Sequence, residues 1–175
     1  YQRARFAGSS GSSMDEYIGH GGGVIEIYTH SLLLDGAINA NGLEGYRSGG
    51  AGGSIHIEAT SLEGVGQLRA DGARTFKSYT NSLLSAGSGG RISLYIKDIN
   101  SFGGEYGAAS GSGLVAGAGT VYIKNPNESN GSLYVSNAGL SAQAKSTPVR
   151  TIGRHSILGV DEIEPGIWRI EVEGR

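Results

Sequence analysis

Apolar and polar residues alternate in four stretches of the chain, each of which begins with small residues. The stretches are GGGVIEIY (21–28), AGGSIHIE (51–58), SGGRISLY (88–95) and AGTVYIK (118–124). A period of two is the pattern of a β-strand with one buried face. The four stretches superpose on Ile25, Ile55, Ile92 and Val121, at separations of 30, 37 and 29 residues. They predict a repeated strand.

A second marker recurs with the first one. It comprises DGAINANG (35–42), GQLRADG (66–72), GEYGAASG (104–111) and GSLYVSNAG (131–139). These segments superpose on Ile38, Leu68, Tyr106 and Leu133, at separations of 30, 38 and 27 residues. A third short stretch with a period of two lies between the two markers in the first two repeats. Three short strands in each repeat of about 30 residues predict one turn of a parallel β-helix.

The predicted fold is therefore all-β: a right-handed parallel β-helix of about four coils, with a partial N-terminal coil in RARFAGSSG (3–11). Residues 1–139 would form the helix. Residues 140–175 would form a C-terminal β cap, or a linker to or the start of a following module. A propeller fits less well, because each blade needs four strands in roughly 40 residues.

The period of two also predicts which side chains share a face. The first strand would direct inward Ile25 and Ile27, Ile55 and Ile57, Ile92 and Leu94, and Val121 and Ile123. The second strand would add Ile38 and Ala40, Leu68 and Ala70, Tyr106 and Ala108, and Leu133 and Val135. Two outward columns would hold Glu26, His56, Ser93 and Tyr122, and Tyr28, Glu58, Tyr95 and Lys124.

The outward columns are the candidate ligand-binding surface. Tyrosine rings stack on the apolar faces of sugars, while hydroxyl and carboxylate groups hydrogen-bond sugar hydroxyls. The predicted ligand-binding residues are Tyr28, His56, Glu58, Tyr95, Tyr122 and Lys124. The competing interpretation, which we favour, is that tyrosine is simply a good exposed strand residue and that Glu and Lys pair across strands.

Composition narrows the class of protein. Glycine accounts for 32 of 175 residues, well above the usual share of about 7%, and it falls between strands as turn punctuation. The net charge is -2 and the 14 Lys and Arg residues are scattered, so nucleic acid is not a predicted partner. There is no cysteine and no apolar run of membrane-spanning length, and we predict neither a metal nor a cofactor.

Two pairs of residues are candidates for catalytic or metal-binding groups. Glu26 and Glu58 would lie about 8 Å apart, which is suitable for an inverting glycosidase. β-Helix enzymes that resemble pectate lyases and polygalacturonases carry further Asp or Arg motifs, and no residue of this chain matches one, so we favour a non-enzyme. Asn41 and Asp71 each precede a glycine, a pattern typical of a stacked turn rather than of a calcium site.

The motif G-G-x-I-x-I, a small-residue connector and then G-x-I-x-A-x-G resembles the glycine-rich β-helical stretches of very large bacterial secreted and surface proteins of the adhesin type. The resemblance spans about Phe6 to Gly139. It implies a secreted or cell-surface module of a longer polypeptide. Membrane insertion is not predicted, because no apolar run has the length of a membrane span. The leading hypothesis is a non-catalytic structural and adhesion module that contacts polysaccharide; a polysaccharide-degrading enzyme and a mechanical spacer or fibre segment are the alternatives.

Overall fold

The computed structural model describes residues 3–11, 17–46, 48–75, 85–112 and 116–140, together with the backbone of 157–164 and 167–172. These residues form ten β-strands and no helix. The strands are β1 (Val24–Leu33), β2 (Ala37–Asn39), β3 (Ser54–Gly64), β4 (Gln67–Arg69), β5 (Arg91–Phe102), β6 (Glu105–Gly107), β7 (Thr120–Lys124), β8 (Gly131–Val135), β9 (Ile157–Glu164) and β10 (Ile167–Val172).

The larger sheet has seven strands in the order β1-β3-β5-β7-β8-β10-β9. Its first four strands are parallel, and their register pairs Ile25 with Ile55, Ile55 with Ile92, and Ile92 with Val121. The predicted superposition of the four alternating stretches is thus confirmed residue by residue. Its last three strands run antiparallel to their neighbours, so this sheet is mixed.

The smaller sheet is parallel and has the order β2-β4-β6, with Ile38 paired to Leu68 and Leu68 paired to Tyr106. Both sheets contribute to one core, in which the predicted inward residues of the first three repeats meet. Ile55, Ile57, Leu68 and Leu94 are fully buried there. At the edge strands β1 and β2, Ile25, Ile27 and Ile38 pack against the core but are only partly buried.

The predicted fold class, a right-handed parallel β-helix of about four coils with a partial N-terminal coil, is wrong. The fourth repeat has no strand in the smaller sheet: β8 turns back and pairs antiparallel with β7. Residues 3–11 form no strand. The described residues instead form an all-β arrangement of one mixed sheet and one small parallel sheet.

The difference has a local cause in the segment after β7. Strands β1, β3 and β5 have 10, 11 and 12 residues, whereas β7 has only five and ends before Asn125-Pro126. Proline has no backbone N–H to continue a ladder. Asn127 has a φ of 64°, a left-handed conformation that asparagine tolerates. The Nζ of Lys124 donates to the carbonyl oxygens of Glu128 and Ser129. These features close a hairpin.

This hairpin also reverses the predicted orientation of β8. Tyr122 pairs with Leu133, and Val121 pairs with Tyr134. Tyr134 therefore joins the main core, while Leu133 and Val135 pack with Tyr122 in a second cluster. The prediction that Leu133 and Val135 face the main core is wrong, because it assumed parallel pairing.

Glycines allow the two sheets to approach each other closely in front of β3, β5 and β7. The N–H groups of Gly53, Gly90 and Gly119 each donate to the carbonyl of Ala40, Ala70 or Ala108 at 2.7 Å. A Cβ atom on Gly52 would lie 2.0 Å from the carbonyl oxygen of Ala70, a distance that no side chain could occupy. The high glycine content therefore includes sites of backbone-to-backbone packing as well as turns.

Asn41 and Asp71 serve as structural connectors between repeats. The Asn41 side-chain oxygen accepts the Asp71 N–H at 2.7 Å, and the Asp71 carboxylate accepts the Ala109 N–H at 2.8 Å. Asn137 forms a link in the opposite direction, accepting the N–H of Ser110 from the preceding repeat at 2.8 Å. The two residues that preceded glycine thus satisfy backbone donors of the next repeat, in line with their interpretation as stacked turns.

The C-terminal strands extend the larger sheet. Strand β10 pairs antiparallel with β8, and β9 forms the last strand of the sheet. Residues 141–156 lie outside the described residues, so the predicted boundary at 139/140 between repeats and cap stays a prediction.

Candidate functional site

The outer face of the larger sheet carries the residues that the sequence singled out. Their side chains alternate with the core residues of β1, β3, β5 and β7, so they point away from the core. The pairing places Glu26, His56, Ser93 and Tyr122 in one column, and Tyr28, Glu58, Tyr95 and Lys124 in the next. The two predicted columns are therefore confirmed as neighbours across the strands.

The N-terminal segment 3–6 lies across this face. The backbone N–H of Ala4 donates to Ser93 Oγ at 3.2 Å, and Ser54 Oγ donates to the Phe6 carbonyl at 2.6 Å. Ala4 itself is only 1% exposed. The segment is thus hydrogen-bonded to β3 and β5 and covers the middle of the first column.

Charged side chains hold the same segment at the β1 edge. Arg3 and Arg5 lie 3.7 and 3.8 Å from the Glu26 carboxylate. Arg3 also donates to the Tyr28 hydroxyl, and its guanidinium carbon lies 5.6 Å from the centre of the Tyr28 ring. These groups are partly exposed, so their ion pairs add little stability singly. They orient the segment.

The covering segment changes the predicted exposure of two candidate residues. His56 is 1% exposed and Tyr122 is 4% exposed, so neither can serve as a surface contact for a ligand. The prediction that they lie on an open face is wrong: segment 3–6 covers His56, and Tyr122 packs against Leu133. Tyr28 is 51% exposed, and Glu58, Tyr95 and Lys124 are partly exposed.

A continuous hydrogen-bond chain runs through the buried part of the face. Ser93 Oγ lies 2.7 Å from His56 Nδ1, and His56 Nε2 lies 3.0 Å from a Glu58 carboxylate oxygen. In the His56 tautomer that carries a proton on Nε2 and none on Nδ1, each group has a partner: the Ala4 N–H donates to Ser93, Ser93 donates to His56, and His56 donates to Glu58. The chain satisfies polar groups that would otherwise be buried without partners.

Ser93, His56 and Glu58 also have the residue types of a nucleophile, a base and an orienting carboxylate. Ser93 is fully buried, however, and its Oγ already accepts the Ala4 N–H. A substrate cannot reach this oxygen while segment 3–6 is in place. Sequence reasoning placed Ser93 in the column but missed its role, because the contact with Ala4 joins residues 89 positions apart.

Aromatic rings line the same face. His56 packs edge-on against Tyr28 and Tyr95, with ring centres 5.8 and 5.7 Å apart, and Tyr95 lies 5.6 Å from Tyr122. Burial raises the pKa of Tyr95, and the neighbouring Tyr122 hydroxyl and Glu58 carboxylate raise it further. The pKa of Tyr122 is raised too, mainly by burial. Both hydroxyls stay protonated at neutral pH.

The two carboxylates considered for catalysis are both engaged within the chain. Glu26 pairs with the arginines of the N-terminal segment, and Glu58 pairs with His56. Lys124 is likewise bound to carbonyl oxygens of the β7–β8 turn. Among the residues that the structure describes, no three His, Cys, Asp or Glu side chains cluster as a metal site.

The comparisons with known proteins return no relative. No protein-family model matches the chain, and neither a curated protein nor a solved structure matches it. In the described part of the chain, no helix has the length and apolarity needed to cross a membrane.

Proposed function

We propose that this chain is a non-catalytic structural and adhesion module of a larger extracellular protein, secreted or held at a bacterial cell surface. The observation that carries the proposal is that the polar groups of the outer face are bonded to other groups of the same chain. The groups there that could act on a substrate, Ser93, His56 and Glu58, are bonded to one another, and Ser93 and His56 are buried beneath segment 3–6. The resemblance of the glycine-rich repeats to surface-protein stretches supports the extracellular location.

Polysaccharide contact is the second part of the proposal, and it is limited to the uncovered part of the face. Tyr28 offers a half-exposed ring, and the Glu58 side chain is 38% exposed beside it. Their pairing across β1 and β3 places a ring and an acceptor next to each other, as sugar recognition requires. One face of the Tyr28 ring is taken by Arg3, so this contact would be weak.

The non-catalytic part is tested by incubating the chain with a panel of neutral and acidic polysaccharides and measuring released reducing ends and unsaturated products. We expect no release from the parent protein or from Glu58→Gln. Release by the parent that disappears in Glu58→Gln, with an unchanged Tm, would contradict the proposal and favour a polysaccharide-degrading enzyme.

The adhesive part is tested by retention on the same polysaccharides after immobilisation. Tyr28→Ala should lower the retention. The matched control is Tyr17→Ala, because Tyr17 is 65% exposed and its ring packs at a tilt against Tyr46 rather than on the sheet face. Absence of retention for the parent, or equal loss in both variants, would remove the adhesive part and leave a mechanical module.

A further inference from the structure

A cavity of about 380 Å³ lies beyond β6, the last described strand of the smaller sheet, beside the turn that reverses β8. It lies where the smaller sheet would receive a fourth strand, and residues of β6, β7 and β8 surround it. Its volume is within the range of pockets that hold small molecules, roughly 300–1,000 Å³. None of the outer-face contacts described above involves this cavity, so its use is independent of the proposed structural function.

The walls of the cavity are mainly apolar. Val121 and Ile123 of β7 and Ala108, which follows β6, are core residues that also line it. Tyr106 and Tyr134 add two aromatic rings from β6 and β8. Such a lining favours a ligand that is mainly apolar, because a charged group would lose its hydration there.

The polar groups at the cavity offer no unpaired charge to a charged ligand. Arg69 lies 2.6 Å from Glu105 and 3.6 Å from Asp71, so its positive charge is neutralised within the chain. Burial raises the pKa of Tyr106 to about 12, with a further contribution from Tyr134. The Tyr106 hydroxyl therefore remains a neutral hydrogen-bond donor at physiological pH.

We infer that this cavity binds an uncharged ring compound that carries a hydrogen-bond acceptor for Tyr106 or Tyr134. An apolar cavity of about 150 Å³ holds benzene with its six non-hydrogen atoms, so a volume of about 380 Å³ holds a ring compound of roughly ten to fifteen such atoms. A bicyclic aromatic alcohol has this size and chemistry.

The test is equilibrium dialysis of the full chain with 2-naphthol, and with naphthalene-2-sulfonate as a charged analogue that has the same rings. We expect saturable binding of 2-naphthol and at least tenfold weaker binding of the sulfonate. Tyr106→Phe and Tyr134→Phe remove single hydroxyls, and at least one of them should weaken binding about three- to tenfold. Tyr28→Phe, outside the cavity, should leave the Kd unchanged.

A blocking variant completes the test. Ala108→Leu places extra atoms in the cavity and should abolish measurable binding. Because this substitution also crowds the core, its Tm is measured to check that the variant folds. If it does not fold, Tyr106→Phe and Tyr134→Phe still test the site. Lack of saturable 2-naphthol binding, equal or tighter binding of the sulfonate, or an unchanged Kd in both phenylalanine variants would overturn the inference.

Discussion

Both faces of strands β3 and β5 contain deeply buried residues, but for different physical reasons. On the inner face, Ile57 and Leu94 are fully buried between the two sheets. On the outer face, His56 and Ser93 are as deeply buried, beneath the N-terminal segment. Apolar packing stabilises the buried residues of the inner face. The buried residues of the outer face are stable only when every polar group in their hydrogen-bond chain has a partner. Alternation assigns residues to faces but does not reveal whether a face is covered.

The largest effect should come from the inner face. Ile57→Ala removes a side chain that is fully buried, and we expect a loss of about 2–5 kcal/mol in the free energy of unfolding because a cavity remains. The control is Val24→Ala, since Val24 is 42% exposed in β1; it should change stability by less than about 0.5 kcal/mol. Urea denaturation measures both. Equal losses would contradict the assignment of the faces.

The backbone contact beside the inner face should be nearly as sensitive. Gly52→Ala would place a Cβ atom 2.0 Å from the Ala70 carbonyl oxygen, so the strands must separate, at about 3 kcal/mol. Gly23→Ala is the matched control, because nothing lies within 4 Å of the position that its Cβ atom would take and Gly23 has a negative or extended φ. A Tm for Gly52→Ala equal to that of the control would refute the close approach.

On the outer face, Ser93→Ala should have a moderate effect. It leaves the Ala4 N–H and His56 Nδ1 without their shared partner in a buried site, which costs about 1–3 kcal/mol. Ser61→Ala is the control, since Ser61 bonds Ser31 at an exposed site and its loss should be small. Chemical denaturation of the two variants compares them. A stability loss in Ser93→Ala no greater than that in Ser61→Ala would mean that the chain is not formed.

The smallest effects should come at high pH from Tyr95, on the outer face of β5, and from Tyr106, on β6 of the smaller sheet. The unfolded chain releases tyrosine protons near pH 10, whereas Tyr95 and Tyr106 keep theirs longer when folded, up to about pH 12 for Tyr106. Above pH 10 the folded state binds more protons, so stability falls as pH rises. We expect Tyr95→Phe and Tyr106→Phe each to flatten this decline in Tm between pH 9 and 11. An identical slope in the double variant would contradict the raised pKa values.

Much of the sheet register followed from the period of two. The recurring G-G-x-I-x-I pattern aligned Ile25, Ile55, Ile92 and Val121 correctly, because in-register stacking of like side chains is what the repeat encodes. The fourth repeat failed because the Asn125-Pro126-Asn127 turn overrides the similarity of residues 131–139 to a smaller-sheet strand. The local turn chemistry outweighed the repeat.

The candidate site was predictable in its columns but not in its accessibility. Glu26, His56 and Tyr28 share the expected face, yet the cover over His56 comes from segment 3–6, which forms no strand and contacts residues far along the chain. Such a contact leaves no periodic signal. Arg3 and Arg5, two like charges at alternate positions, were an available hint of a contact with a carboxylate such as that of Glu26.

The cover over the outer face is the central claim, and the reactivity of the histidines tests it most directly. Diethyl pyrocarbonate modifies accessible imidazoles, and His20 and His30 are exposed internal references, whereas His56 is 1% exposed. Mass spectrometry of the modified chain should show His56 reacting at least about tenfold more slowly than His30, because reaction requires local opening. The rate at His56 should rise when Arg3 and Arg5 are both changed to Ala. Modification of His56 in the parent as fast as that of His30 would contradict the account.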